Sequence, residues 1–125
     1  MSLLLDTRIL IMWLAASQRL SPELTERISS GKEPIYVSAA SLFEVELKRT
    51  AGKLSCPDDL IAQLAEAGLK LLPITAEHAA AAGRLPLHHA DPIDRLIIGQ
   101  AQCERLTLLT ADQRFRAYTV DLLMA

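Results

Sequence analysis

Cysteine is almost missing: Cys56 and Cys103 are the only thiols among 125 residues. Two thiols cannot build the disulfide framework of a small secreted domain or a thiolate metal site, and their scarcity suits a reducing cytosol. An excess of one charge is missing too. Thirteen Lys and Arg against fifteen Asp and Glu leave a net charge of −2, with an isoelectric point near 5.9. That excludes a general basic coat for nucleic acid but leaves room for a local basic groove. No long apolar run occurs. The longest, Ile9 to Ala16, is far short of the roughly 20 residues a membrane span needs. Met1-Ser2-Leu3 lacks the basic stretch of a signal peptide. The expectation is a soluble cytoplasmic protein with no membrane association. Repeats, linkers and low-complexity tracts are also absent, and the length suits one domain, residues 1–125, with one hydrophobic core.

What is present is apolar. Half the residues are hydrophobic, and the mean hydropathy of +0.22 is high for a soluble chain this short, so a partner or second copy is expected to cover some surface. "LLL" at 3–5 reads as a buried strand stopped by Asp6, and Thr7 to Ser17 as a helix apolar on nearly every side. "SPEL" opens a second helix with Ser21 as cap and Pro22 first. "IYVSA" at 35–39 is a strand, and Ser41 to Lys53 a helix whose "SLFE" fits a capping box. Pro57 to Ala67 reads as a helix ended near Gly68, "LKLLPI" as a strand, and "AEHAAAAG" as a helix closed by Gly83. Residues 92–104 form a long helix, "LTLLT" a strand, "ADQRFRAY" a short helix and "VDLL" a last strand. Strands alternating with helices at this spacing imply an α/β fold, a central parallel sheet flanked by helices on both faces. Ligands in such folds gather at the carboxyl ends of the strands.

That is where the acids fall. Asp6 ends the first strand, Glu44 lies early in the helix after the second, Asp91 and Asp94 open the long helix, and Asp112 follows "LTLLT". Each can be explained alone. Asp6 and Asp91 can cap helices, with Pro92 at the first helical position. Ser41 with Glu44 can form a capping box, Asp94 can favour the helix dipole, and Thr110 with Gln113 can cap the last helix, leaving Asp112 in its first turn. Gathered in one place, the same acids form an oxygen-only site for a hard divalent cation, Mg²⁺ or Mn²⁺. Grouped carboxylates repel, so without a cation some must protonate. A divalent ion relieves that repulsion and can bridge to a substrate phosphate.

The remaining chemistry-bearing residues read as scaffold. His88 and His89 are adjacent, so their side chains diverge, and His78 is alone on its helix. None has the i, i+4 spacing of a zinc helix, which makes them loop or surface histidines. Trp13 and Phe43 read as core or interface. Lys48, Arg49 and Lys53 read as a solvated helix face able to track a phosphate backbone.

The segments "LLLDTRILIMWL", "RLSPE", "YVSAASLFEVELKRTAGKL", "LLPITAEHA", "LPLHHADPIDRLIIGQA" and "LTLLTADQRF", in that order, resemble the PIN-domain ribonucleases, in particular VapC-type toxins of bacterial type II toxin–antitoxin systems. The resemblance implies a PIN-like fold and a Mg²⁺-dependent endoribonuclease that is dimeric and inhibited by a cognate antitoxin. Carried over by position, it implies metal ligation by Asp6, by Glu44, by Asp91 or Asp94, and by Asp112 with Thr110 nearby. Arg8 stands where relatives often have histidine, Phe43 where they often have tryptophan, and Gly99 where alanine is common, a helix cost of roughly 1 kcal/mol. The rival readings are weaker. A haloacid-dehalogenase-like phosphatase wants a second aspartate at position 8, which is arginine, and a receiver domain wants an acidic pair and a late lysine that "LLTADQ" lacks. A non-catalytic interaction module whose acids are only caps remains the alternative from another class.

Overall fold

The computed structural model describes residues 1–125. Its elements in chain order are β1 (Leu3–Leu5), α1 (Thr7–Leu14), α2 (Pro22–Ser29), β2 (Ile35–Ser38), α3 (Ala39–Thr50), α4 (Leu60–Glu66), β3 (Lys70–Leu72), α5 (Ala76–Arg84), α6 (Pro92–Glu104), β4 (Thr107–Thr110) and β5 (Leu122–Met124), with a 3₁₀ turn at Gln113–Ala117 between the last two. The five strands form one sheet in the order β3-β2-β1-β4-β5. All neighbours are parallel, with Leu3 opposite both Ile35 and Thr107. No helix is long and apolar enough to cross a membrane.

Alternation along the central strands divides the core between two faces, because successive side chains point to opposite sides of a sheet. Leu3, Leu5 and Leu109 pack with Ile9, Leu10, Ile28, Val45 and Leu64 from the helices of one face. Leu4 and Leu108 pack with Ile97, Ile98, Ala101, Phe115 and Tyr118 on the other. The single core expected from the length is therefore two clusters separated by the sheet.

Several boundaries differ from the sequence expectation. The first helix stops at Leu14 rather than Ser17, α4 begins at Leu60 rather than Pro57, and β3 occupies only Lys70–Leu72. Gly68 takes a φ of +83° two residues after α4, a conformation that glycine adopts without strain. Gly83 lies inside α5, which ends one residue later. Gly99 is a matter of packing: a Cβ there would sit 2.9 Å from the backbone nitrogen of Ala82. The helix penalty of glycine is the condition for α6 to lie close against α5. Trp13 is half-buried against the core and donates from Nε1 to Ser29 Oγ at 3.1 Å. Phe43 is 57% exposed and belongs to the surface.

Candidate active site

The parallel pairing of β1 with β4 sets Leu5 beside Leu109, so the residues that follow both strands meet. Asp6 is 4% exposed and caps α1, its Oδ1 accepting from the Ile9 amide at 2.7 Å. Its other oxygen accepts from the Thr110 hydroxyl. Thr110 Oγ1 in turn accepts from the Asp112 amide at 3.0 Å. One hydroxyl thus holds two acid-bearing segments in register. On the other side, Thr7 Oγ1 and Ser41 Oγ lie 2.9 Å apart and tie α1 to α3, the helix that carries Glu44.

The start of α6 completes the group. Asp91 is exposed, and its Oδ1 accepts from the amides of Ile93 and Asp94 at 2.9 and 3.2 Å. Asp94, half-buried one turn further in, has Oδ2 2.6 Å from His89 Nε2. Asp6, Glu44, Asp91, Asp94 and Asp112 all line one cleft of about 630 Å³, together with Arg8, Arg19, Lys48 and Arg114. Caps explain part of this set: Asp6, Asp91 and Asp112 do cap helical segments. Glu44 and Asp94 cap nothing. The α3 cap is Ser38, which bonds the Ala40 amide, so the capping box expected at Ser41 and Glu44 does not form, and Glu44 is left to face the cleft. The expected Thr110–Gln113 cap does not form either, because Asp112 is the residue that accepts from the Arg114 amide at 2.9 Å.

The electrostatics are those of an overcharged pocket. Burial lifts the Asp6 carboxyl to about 6, against the pull of the Thr110 and Ile9 hydrogen bonds, and the Asp94 charge adds to the rise. Burial also raises Asp94, countered by its His89 hydrogen bond, with the charges of Asp91 and Glu44 raising it further. Asp112 is lowered, chiefly by the Arg114 guanidinium, whose Nη2 lies 2.7 Å from Oδ2. Lys48 Nζ is 3.3 Å from Glu44.

Residues 3–120 match the family model described as PIN domain. The chain belongs to the PIN-domain family. This PIN domain is 32% identical over 121 residues to Ribonuclease VapC22 of Mycobacterium tuberculosis, a match covering 94% of this chain and 92% of that protein. It is therefore of the VapC type. Its fold is similar to that of the DNA-bound VapBC from Salmonella typhimurium, with a TM-score of 0.73 at 18% identity over 99% of this chain and 98% of that one. VapBC2 from Rickettsia felis, bound to a promoter DNA fragment, gives a TM-score of 0.72 at the same identity and coverage.

Of the PIN domain's histidines, His88 fits the loop-or-surface expectation, His89 lies in a loop but is buried, and His78 is buried on α5. His88 is exposed, its ring edge-on to Tyr118. His89 is buried beside Phe115, and one ligand atom each from His89, Asp94 and Asp112 lie within 4.8 Å of one another. His78 is also buried, completing the α5 capping box with Thr75 and reaching Glu104 at 2.9 Å. His89 precedes the α6 cap, so helical spacing gave no signal for it. Arg95 was also missed: its guanidinium donates to the carbonyls of Ala82, Leu85 and Pro86 at 2.8–3.0 Å. It pins the loop carrying His89 to the helix carrying Asp94.

Proposed function

We propose that this PIN domain is a divalent-cation-dependent endoribonuclease, the toxin of a toxin–antitoxin pair. It hydrolyses RNA phosphodiester bonds in the acidic cleft and is held inactive by a cognate antitoxin. The observation that carries the reading is the convergence of five carboxylates from four segments on one cleft, two of them pushed toward protonation by burial. Helix capping does not require such crowding. The kinship with a ribonuclease and the fold shared with VapBC complexes support the substrate class and the partner.

The donors fit a hard cation: they are carboxylate oxygens, and neither thiol lines the cleft. Asp6, Glu44 and Asp94 would hold Mg²⁺ or Mn²⁺, with Asp112 supporting. Asp94 is favoured over Asp91 as the direct ligand because it is half-buried and grouped with Asp112 and His89, whereas Asp91 is exposed. When bound, the cation supplies charge neutralisation, a water of lowered pKa and orientation of the phosphate. The protein's own groups prepare for this. Thr110 fixes the Asp6 carboxylate, His89 fixes the rotamer of Asp94, and Arg114 keeps Asp112 ionised. Exposed Phe43 and Leu47, one turn apart on α3, belong on this reading to a surface covered by a second copy.

The test is RNA cleavage by the purified chain with Mg²⁺, with EDTA, and with Asp94→Asn or Glu44→Gln. Loss of cleavage in the last three, with folding intact, is expected. Full activity in EDTA or in both variants would refute the metal site. A folded chain that cuts no RNA after separation from its antitoxin would favour the interaction-module alternative.

A further inference from the structure

Four cations line the cleft, and two of them are already engaged with its acids: Lys48 with Glu44 and Arg114 with Asp112. Arg8, in the first turn of α1, and Arg19, in the turn between α1 and α2, are exposed. Neither takes part in any of the molecule's ion pairs. Resting on the ribonuclease reading above, we propose that Arg8 and Arg19 bind backbone phosphates of the RNA and make the cleft attractive to it.

Charge counting carries the inference. The cleft holds five carboxylates, and Lys48 and Arg114 offset two of them. One divalent cation offsets two more, which leaves a single negative charge facing a polyanion. Only Arg8 and Arg19 reverse that sign. A phosphate chain entering without them would meet net repulsion at the point where it must approach most closely. Both arginines come from α1 and the turn that follows it and share the cleft with the acids. An exposed guanidinium with no carboxylate partner can also take a phosphate bidentately without first breaking an ion pair.

The experiment is a fluorescence-anisotropy titration of a labelled short single-stranded RNA, with Mg²⁺, over a range of salt. An Asp94→Asn background, in which the RNA stays intact, is common to all variants. Each neutralised phosphate contact on a single strand contributes about −0.7 to the slope of log K against log salt, or roughly fourfold in affinity near 0.15 M salt. Arg8→Gln and Arg19→Gln should each lower the slope by about that amount, and together weaken binding roughly fifteenfold. Arg8→Lys and Arg19→Lys should restore the slope, and Arg84→Gln, an exposed change outside the cleft, should leave it unaltered. With Asp94 restored, the glutamine variants should raise KM and spare kcat. RNA binding insensitive to both arginines overturns this inference alone. Loss of antitoxin affinity with RNA binding intact assigns the pair to the protein partner and also overturns it. Failure of the chain to bind RNA at all overturns the ribonuclease reading as well.

Discussion

Asp6→Asn should make the metal-free protein more stable at neutral pH, although it removes an acid from the proposed metal site. Burial lifts the Asp6 carboxyl to about 6, against an ordinary aspartate value of about 3.9. The folded state therefore binds this proton more tightly than the unfolded state does. Below about pH 4 both states are protonated and there is no cost. Stability then falls as pH rises from about 4 to about 6, and above that the whole penalty is present. Across that interval the ionised carboxylate comes to cost the fold about 3 kcal/mol. Asparagine keeps the cap on the Ile9 amide but sets an NH2 donor where Asp6 accepted from the Thr110 hydroxyl, so that bond is lost or must reverse, at a cost of about 1 kcal/mol. A net gain of about 2 kcal/mol would raise Tm by roughly 8 °C in a domain of this size. The assay is thermal melting in EDTA at pH 4.5 and 7.5, repeated with Mg²⁺. The gain should shrink or reverse at pH 4.5. A cation at about a hundred times its Kd stabilises the unmodified chain by about 2.7 kcal/mol, enough to invert the order. If Asp6→Asn is destabilising by the same amount at both pH values, Asp6 is a helix cap and nothing more.

Gly99→Ala should destabilise by about 1–3 kcal/mol despite alanine's better helix propensity, because the added carbon meets Ala82 backbone at 2.9 Å; an unchanged or higher Tm would show that the two helices can separate cheaply. Arg95→Ala should leave several buried or half-buried carbonyls in the 82–89 segment without their donor and should speed hydrogen exchange there more than in α3. Uniform exchange across the molecule would contradict that local role. The free chain should be a dimer by light scattering, with Phe43→Ser shifting it toward monomer; a monodisperse monomer at micromolar concentration would remove the second copy as the cover for that face.

Local signals were easiest to read in the sequence. Ser21-Pro22 and Asp91-Pro92 mark helix starts that the structure places at Pro22 and Pro92, because a cap and a pre-set φ act within one turn. The parallel sheet also followed from element order alone. "SAASLFE" misled because two serines compete for one cap. The choice of Ser38 over Ser41 depends on β2 running directly into α3 and on Ser41 being engaged with Thr7 across 34 residues, which no local window contains. The five acids were legible as residues following strands or opening helices. His89 was not, because it precedes the α6 cap while its partner Asp94 follows it, and neither helical nor strand periodicity runs through that junction. Gly99 looked like a defect because the neighbour that forbids a side chain belongs to another helix.

With β1 in the middle of the sheet, the order in which the chain can assemble is constrained. Leu3–Leu5 can pair with β2 once residue 38 is available, but the other edge of β1 stays open until Thr107–Thr110 arrive from near the far end of the chain. Such long-range parallel pairing is slow, since loop closure precedes any reward from contact. Until then β1 is an unprotected strand edge, prone to pair with the wrong chain. Asp6 and Glu44 emerge from synthesis early, yet Asp112 and the Thr110 hydroxyl join them only when β4 docks. The acidic cluster is thus completed late, with only β5 still to dock, and a chain that stops short of β4 cannot carry it.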